Sequence, residues 1–469
     1  MLSIMLDLDF IRNNPDAVKK AVRDKNEKSD VDAILKIDAE RRQVITELDN
    51  LRHQRNQTSE EIARLKKEKK DADKLIQSMK SVGERIKIME KQLEEIDKPL
   101  REQLYWIPNV PASDVPVGGA AANVEVRQWG QPPAFNFTPQ SHWLLGQQLK
   151  ILDLERATKI SGGGFMILKG AGAALERALI NFMLDVHTGQ HSRKVGIALP
   201  LKDSLFNDGI SQPRKVGISL IPNDSLFNKG IPQHYQEINL PYLVNQKSMF
   251  ATGQLPKLAD DMYQTAEQSW LIPTGEVPLT NIFRDEILDS DTLPRYYVTA
   301  TPCFRREAGS HGKETRGINR VHQFNKVELV KFVHPDTSFD ELEKLVTNAE
   351  SILQALGLHY RVIKLSTGEM SFASAKTYDL EAWAPGLGRY LEVSSCGNFT
   401  DFQARRANIK FRDPAQAGQV KFVHTLNGSG LALPRTLICL LETYQQSDGS
   451  IVIPEILRPY LNGQELIKS

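Results

Sequence analysis

An apolar heptad repeat between residues 34 and 96 constrains the fold of this chain more than any other feature of its sequence. Two series of residues, each with a period of seven, interleave at spacings of three and four, which is the a/d pattern of a coiled coil. The series are Ile34, Arg41, Leu48, Arg55 and Ile62, and Ile37, Val44, Leu51, Thr58 and Leu65. The pattern predicts one long helix over most of this segment.

A second apolar register follows the first and predicts a second long helix. It runs through Leu75, Met79, Val82, Ile86, Met89, Leu93 and Ile96, and Pro99 is expected to end it. The polar residues 64–73 between the registers predict a turn. We therefore expect an antiparallel helical hairpin, an arm that reaches roughly 50 Å.

The end of this arm is rich in basic residues. The basic residues in this span are Arg52, Arg55, Arg64, Lys66, Lys67, Lys69 and Lys70, whereas its only acidic residues are Glu60, Glu61 and Glu68. Such a cluster suits RNA phosphates. A solvated helix surface with ordinary charge pairs explains the same residues, so this pattern alone leaves both readings open.

Composition places the chain among soluble globular proteins, with 41% hydrophobic residues and a net charge of +1. No apolar run approaches the roughly 20 residues that a membrane span needs. The three cysteines, Cys303, Cys396 and Cys439, are far apart and lack metal-ligand spacing, so we expect reduced thiols and a cytoplasmic protein.

A proline-rich stretch divides the chain. Residues 106–119 contain Pro108, Pro111 and Pro116 and read as an extended linker. This predicts an N-terminal helical domain at 1–105 and a domain of mixed helix and strand at 120–469.

Residues 297–304 and 321–333 are β-prone runs on either side of a loop of glycine, serine and charged residues, which predicts an antiparallel hairpin. Strand alternation would put Arg305 and Glu307 on one face of the first strand, and Arg320, Phe324 and Glu328 on one face of the second. Arginine binds phosphate, an aromatic ring stacks on a base, and a carboxylate accepts from an amino group. The hairpin therefore suits a flat, charged ligand, although an exposed charged hairpin would look similar.

Three further segments carry candidate ligand groups. Thr274 and Glu276 share strand parity and suit an ammonium group. Glu392, in the β-prone segment 390–399, is a candidate metal or nucleotide ligand, since Mg²⁺ takes oxygen ligands; an edge glutamate in solvent is the alternative. A glycine-rich loop at 425–430 leads into a helix near whose start Arg435 is placed to reach a phosphate.

Several of these segments resemble the signature motifs of one family. FRREAGS at 304–310 and GINRVHQFNKVE at 317–328 are similar to motif 2 of class II aminoacyl-tRNA synthetases, and within that class to seryl-tRNA synthetases. LERALINFMLDVH at 175–187 with the strand at 235–241 resembles motif 1, and 425–436 resembles motif 3. The resemblance covers nearly the whole chain outside 192–234. It implies an α+β fold, with an antiparallel sheet flanked by helices, and a homodimer formed through motif 1.

The resemblance also implies a reaction, in which ATP activates L-serine to seryl-adenylate and the seryl group passes to tRNA(Ser). The implied serine ligands are Thr274, Gly275, Glu276, Glu328 and Ser429. The implied ATP ligands are Arg305, Arg306, Glu307, Arg320, Phe324, Glu392, Val393, Ser394, Ser395 and Arg435, with Arg305 and Arg435 as the catalytic pair. No general base is expected, because positioning and charge neutralisation carry this chemistry.

A cofactor, Mg²⁺ bound with ATP, is implied at Glu392 and Ser395. Strand parity instead puts Glu392 with Ser394, so the choice between the two serines stays open. The helical arm is expected to bind the tRNA, and the selenocysteine tRNA, tRNA(Sec), is a further substrate that the resemblance leaves open.

Two other functions compete with this one. A synthetase-like enzyme that charges a carrier protein would be expected to lack the arm. A non-catalytic RNA-binding protein would be expected to have lost phosphate ligands, yet Arg305, Arg320 and Arg435 are all present.

A tandem duplication separates the two parts of motif 1, which lie nearly side by side in the family. Residues 192–212 and 213–233 match at 14 of 21 aligned positions. We interpret 192–234 as an inserted surface excursion of turns or a small β-hairpin pair, because long surface insertions cost little entropy. Its basic residues leave contact with RNA or a partner open.

Overall fold

The computed structural model describes residues 6–190, 234–308, 316–413 and 418–469. It divides into two compact units, Met1–Val110 and Pro111–Ser469, and their boundary falls inside the linker predicted at 106–119. The predicted insertion lies outside the described residues except for its last residue, His234. No helix in the described part of the chain is both long and apolar enough to cross a membrane.

The first unit consists of helices. They are α1 (Leu8–Asn13), α2 (Pro15–Asp24), α3 (Val31–Lys67) and α4 (Asp73–Leu104). The N-cap of α3 is Asp30, whose carboxylate accepts from the N–H of Ala33 and satisfies one of the unpaired donors of the first turn. The two long helices pack against each other along the heptad seams, so the predicted helical hairpin is confirmed.

Apolar packing in this unit falls into two clusters. The base cluster contains Ile11, Ile34, Leu100 and Leu104, and the arm cluster consists of Val44, Leu48, Leu51, Ile86 and Met89. Ion pairs flank the seam, including Arg41 with Asp97 (2.6 Å) and Arg52 with Glu90 (2.8 Å). The two clusters show that the helices are held together well beyond their base.

The expectation that Pro99 ends the second helix is wrong, since α4 continues through it to Leu104. A proline inside a helix removes one backbone hydrogen bond and costs about 3 kcal/mol. Beyond it, Leu100 and Leu104 are 0% and 1% exposed. Burial of each leucine contributes roughly 1.5–3 kcal/mol, which offsets the cost of the proline.

The second unit combines sheets and helices. Its helices are α5 (His142–Gln148), α6 (Leu154–Ser161), α7 (Ala171–His187), α8 (Gln246–Ala251), α9 (Glu276–Thr280), α10 (Ser338–Ala355), α11 (Phe402–Ala407) and α12 (Leu433–Thr443). Its shorter 3₁₀ helices are Ala120–Ala122, Ala259–Asp261, Asn281–Phe283, Ser290–Thr292, Pro335–Thr337 and Glu455–Leu461.

The main sheet contains β1 (Val124–Trp129), β8 (Tyr360–Lys364), β9 (Lys376–Ala384), β10 (Arg389–Asn398), β13 (His424–Ala432), β7 (Gln323–Val333), β6 (Arg295–Phe304) and β2 (Gln236–Glu237), in that order across the sheet. All its pairs are antiparallel except β2 with β6. The smaller sheets contain β3 (Leu243–Val244) with β4 (Trp270–Leu271), β12 (Gln419–Phe422) with β11 (Lys410–Asp413) and β5 (Ile287–Asp289), and β14 (Ile451–Val452) with β15 (Leu466–Ile467).

The core of this unit lies where α7, α10 and α12 pack against the main sheet. Leu179, Phe182, Leu345 and Ile438 from these helices share one buried cluster with sheet residues such as Val327. Helices on an antiparallel sheet form an α+β fold, so the predicted fold class is confirmed.

The two parts of motif 1 lie side by side in the structure. The N–H of Tyr235 donates to the carbonyl oxygen of His187, the last residue of α7, at 2.9 Å. A β-carbon at Gly189 would lie only 2.0 Å from Nδ1 of His234. The described residues that flank 191–233 are therefore close neighbours.

This proximity predicts the result of deleting the duplicated segment. Joining Gln190 to His234 through one glycine is expected to leave the protein folded and to leave unchanged both the dimer and the pyrophosphate-exchange activity that the resemblance implies. Closing a loop of about 40 residues costs only a kcal/mol or two more than closing a short one, so stability should be equal or slightly higher. Thermal melting, gel filtration and exchange kinetics check this. A variant that becomes monomeric, or that keeps exchange and loses tRNA charging, would show that the repeats have a working role.

Candidate active site

A cavity of about 750 Å³ lies on the main sheet of the second unit, where β6, β7, β10 and β13 meet the start of α12. It collects most of the site residues predicted from the sequence. Those that line it are Thr274, Glu276, Arg305, Glu307, Arg320, Phe324, Glu328, Glu392, Val393, Ser395, Ser429 and Arg435.

Three predicted site residues do not line the cavity. Arg306 is exposed, so this geometry gives no support to contact between its side chain and ATP. Ser394 is buried and its hydroxyl donates to the carbonyl oxygen of Ser429 at 2.6 Å. A β-carbon added to Gly275 would lie 2.9 Å from Thr299 of β6 and 3.1 Å from Glu328 of β7. The lack of a side chain at Gly275 therefore allows its backbone to lie close to the main sheet.

One end of the cavity is acidic and buried. The hydroxyl of Thr274 donates to Glu328 Oε2 at 2.6 Å and accepts from the N–H of Glu276 at 3.2 Å. Glu276 accepts from Nε2 of Gln403 at 2.6 Å, and Glu328 forms an ion pair with Lys326. The parity predicted for Thr274 and Glu276 is wrong, because β4 ends at Leu271 and Glu276 begins α9.

Burial and the neighbouring charge of Glu328 raise the pKa of Glu276 to about 7. Two carboxylates that share a buried site disfavour each other's ionised form. A bound cation would relieve this repulsion and lower the pKa again. This end of the cavity is therefore suited to an ammonium group.

The other end of the cavity carries three arginines. Arg320 pairs with Glu307 at 3.1 Å, and Arg435 pairs with Glu392 at 3.3 Å. Arg305 donates through Nε to the carbonyl oxygen of Pro273 at 3.2 Å, and its guanidinium lies 5.4 Å from the centre of the Phe324 ring.

These groups meet for a different reason from the one predicted. β6 ends at Phe304 and β7 begins at Gln323, so Arg305, Glu307 and Arg320 lie outside the strands and strand parity does not apply to them. Glu307 has a positive φ of 50°, which turns the chain at the end of the strand. The turn, and not the strand period, brings these side chains into the cavity.

A β-bulge in β10 determines which of the two serines, Ser394 or Ser395, faces the cavity together with Glu392. The register shifts between Glu392 and Ser394, leaving Val393 unpaired, and Ser395 then lies opposite Asp379. A bulge adds one residue to one strand and so reverses the faces that follow it. Glu392 and Ser395 consequently share the cavity face, while Ser394 points away from it.

Sequence reasoning missed several polar residues that line the cavity, among them Lys326, Asp379 and Asn427. Lys326 and Asn427 lie inside segments already singled out, so only their roles were missed. Asp379 is a buried carboxyl in the middle of β9. The sequence signal that could have identified it is an acidic residue inside a β-prone run. Burial and the charge of Glu392 raise the pKa of Asp379 well above its usual range.

An antiparallel sheet whose β6–β7 hairpin presents arginines to a cavity, next to a glycine-rich strand that leads into a helix, defines a class II aminoacyl-tRNA synthetase core. Residues 260–444 match the family model described as tRNA synthetase class II core domain (G, H, P, S and T). Residues 5–111 match the seryl-tRNA synthetase N-terminal domain.

Individual proteins agree with both family models. A serine–tRNA ligase of Thermodesulfovibrio yellowstonii is 49% identical over 97% of this chain and 99% of its own length, and one of Thermoanaerobacter pseudethanolicus is 48% identical over 97% and 98%. The crystal structure of seryl-tRNA synthetase from Pyrococcus horikoshii complexed with ATP has a TM-score of 0.83, 34% identity and 99% coverage of both chains. The cytoplasmic serine–tRNA ligase of Naegleria fowleri in complex with AMP has a TM-score of 0.79, 28% identity and the same coverage.

This chain therefore belongs to the seryl-tRNA synthetase family, whose members are ATP-dependent serine–tRNA ligases. The predicted family, fold class and enzyme class are confirmed.

Proposed function

We propose that this cavity activates L-serine with ATP to seryl-adenylate and that the enzyme then transfers the seryl group to tRNA(Ser). The observation that carries the proposal is that one cavity holds two kinds of charged group. It is lined by the buried carboxylates of Glu276 and Glu328 and by three arginines, two of which are held by ion pairs. The ammonium group of an amino acid is complementary to the carboxylates, and the phosphates of a nucleoside triphosphate are complementary to the arginines.

At the acidic end, Glu276 and Glu328 bind the ammonium group of serine. Thr274 and Ser429 lie beside them and offer hydroxyl groups. The α-carboxylate then points toward the arginines, because a group repelled by two carboxylates is attracted by guanidinium.

At the basic end, Arg305 binds the α-phosphate, Arg320 and Arg435 bind the outer phosphates, and the adenine stacks on Phe324. The carboxylates that pair with Arg320 and Arg435 hold both guanidinium groups inside the cavity. Phosphate oxygens replace these partners when ATP binds, and charge-assisted bidentate contacts of this kind are strong. Glu307 is then released to accept from the amino group of adenine.

The first step needs no proton transfer. A carboxylate oxygen of serine attacks the α-phosphorus, a new P–O bond forms and pyrophosphate leaves with the electrons of the broken bond. In the second step a terminal ribose hydroxyl of the tRNA attacks the activated carbonyl, the bond between that carbonyl carbon and the phosphate oxygen breaks, and AMP leaves with the hydroxyl proton on its phosphate. Arg305 assists the first step by neutralising the charge that develops on the α-phosphate oxygens.

The donor set at Glu392 and Ser395 fits Mg²⁺, which takes a few protein oxygens together with phosphate oxygens and water. When bound, Mg²⁺ neutralises phosphate oxygens and eases the approach of the carboxylate.

The helical arm is the proposed tRNA-binding element. At its tip Lys66, Lys67 and Lys69 are exposed, and among the described residues none of them forms an ion pair. A basic tip on a long rigid arm suits double-stranded RNA, which proteins recognise by backbone and shape. Because this readout is not specific for sequence, tRNA(Sec) remains a further candidate substrate.

We also propose a cytoplasmic homodimer. All three cysteines are free and buried, which fits a reducing compartment. The strand β2 lies at the edge of the main sheet and follows α7, which is where the resemblance to motif 1 puts the dimer interface.

The pH dependence of serine binding tests the assignment of the acidic end. The pKa of Glu276 is raised to about 7, so this carboxyl is protonated at lower pH and loses its attraction for ammonium. We expect the KM for serine in pyrophosphate exchange to rise as the pH falls below about 7, approaching tenfold for each pH unit, while the KM for ATP stays nearly constant.

Glu276→Gln should raise the KM for serine by roughly a hundredfold and abolish its pH dependence, since an amide cannot titrate. Alanine, threonine and glycine serve as control substrates with the unaltered enzyme. Exchange that is faster with any of them than with serine would contradict the proposed substrate.

A further inference from the structure

Asp379 has an unusual position in the cavity wall. It lies in the middle of β9, directly opposite Ser395 of β10, and is 9% exposed. One of its oxygens, Oδ1, is buried and has no hydrogen-bond partner among the described residues. A buried carboxyl that is only partly hydrogen-bonded costs folding free energy, so its presence needs a reason.

The neighbouring carboxylates on the same face of the β9–β10 ladder have cationic partners. Glu381 pairs with Arg361 at 2.7 Å and Glu392 pairs with Arg435 at 3.3 Å. In the described part of the chain no lysine or arginine forms an ion pair with Asp379. The nearby guanidinium of Arg435 acts on Asp379 but is paired with Glu392, so a cation that comes from outside the protein would further stabilise the charged form of Asp379.

The register indicates the route by which Asp379 acts, since it puts the Asp379 carboxylate directly across the ladder from the hydroxyl of Ser395, where it can accept the hydroxyl proton in a hydrogen bond. A hydroxyl group has one proton and two lone pairs. When the proton is held by Asp379, the lone pairs of Ser395 are free to face the cavity, on the side where Glu392 lies. The bulge at Val393 is what puts Ser395 on that side.

We propose that Asp379 is a positioning residue for the cation that accompanies ATP, which it serves by orienting the hydroxyl of Ser395 and by adding negative charge behind it. The inference rests on the Mg²⁺ site proposed at Glu392 and Ser395. Asp379 lies on the neighbouring strand opposite Ser395, so the role assigned to it is exerted through Ser395 and not as a ligand. Partners of metal ligands commonly change metal affinity by about 10–100-fold.

The test is a calorimetric titration of ATP into the purified enzyme at a series of free Mg²⁺ concentrations. Asp379→Asn keeps the size of the side chain and removes its charge. We expect the half-saturating Mg²⁺ concentration to rise about tenfold or more, with the affinity for ATP at saturating Mg²⁺ and the melting temperature nearly unchanged. An unchanged Mg²⁺ dependence would overturn the inference.

Two further variants separate this inference from the site on which it rests. Glu381→Gln is the matched control, because Glu381 lies on the same strand face but does not line the cavity, and it should leave the Mg²⁺ dependence unaltered. Glu392→Gln should raise the Mg²⁺ requirement. If Glu392→Gln has no effect, the Mg²⁺ site itself is misplaced; if it has an effect and Asp379→Asn has none, only the inference fails.

A double-mutant cycle shows whether Asp379 acts through Ser395. Adding Asp379→Asn to Ser395→Ala should raise the Mg²⁺ requirement little beyond that of Ser395→Ala alone, because residues in one hydrogen-bonded unit are not additive. Fully additive effects would contradict a positioning role. Melting temperatures of all four proteins are measured with the titrations, because the cycle requires every corner to be folded.

Discussion

Replacing Arg305 with alanine is expected to slow serine-dependent pyrophosphate exchange at least about a hundredfold, a loss of about 3 kcal/mol of transition-state stabilisation. Arg305 reaches the cavity from the end of β6 and is held there by the carbonyl oxygen of Pro273 and by the face of Phe324. These contacts hold its guanidinium in the cavity, where the proposed function puts the α-phosphate. The loss should appear mainly in kcat, because the interaction is strongest in the transition state.

Steady-state exchange kinetics with ATP, serine and labelled pyrophosphate measure this effect. Arg306→Ala is a matched control, since Arg306 is the next residue, carries the same charge and is exposed outside the cavity; it should change kcat less than about twofold. Arg305→Lys should recover only part of the rate because lysine lacks the bidentate geometry. Near-normal exchange by Arg305→Ala would remove Arg305 from the mechanism.

The β6–β7 hairpin could be predicted from the sequence because strand propensity and turn residues are local signals. β6 and β7 lie within a few residues of the predicted runs. The faces of Arg305, Glu307 and Arg320 could not be predicted in the same way. Where a strand ends depends on its tertiary hydrogen bonds, such as those from Arg305 N–H to His322 and from Arg306 N–H to Asp261.

The β-bulge at Val393 and the helical start at Glu276 illustrate the same limit. A period of two assigns Ser394 to the face of Glu392, whereas the bulge gives that place to Ser395. Nothing in the sequence of 390–399 marks the bulge, because it depends on how β10 pairs with β9. Asp379 was missed for a related reason, as its importance arises only from its position opposite Ser395.

The long helices show the opposite case, in which sequence periodicity is nearly sufficient. Heptads specify the seam of α3 and α4, and residues such as Val44, Leu48 and Ile86 are buried in it as predicted. Only the effect of Pro99 was misjudged, because the packing of Leu100 and Leu104 at the base was not visible in the heptad pattern.

The division of the first unit into two apolar clusters suggests how to remove the arm without unfolding the rest. The base cluster, which contains Ile34 and Leu104, does not share residues with the arm cluster. Deleting residues 43–95 and joining Arg42 to Ile96 through a short glycine loop keeps the base cluster and the ion pair between Arg41 and Asp97. The second unit has its own separate core.

This truncated enzyme is expected to exchange pyrophosphate nearly as fast as the full chain and to charge tRNA roughly a thousandfold more slowly or worse, because several phosphate contacts are lost together. Replacing Lys66, Lys67 and Lys69 with glutamine in the full chain is the milder comparison, which should weaken charging and reduce its dependence on salt concentration. Exchange and charging assays on the same preparations measure both steps. Equal loss of the two activities on truncation would mean that the arm supports the catalytic unit, whereas unchanged charging would mean that tRNA binds elsewhere.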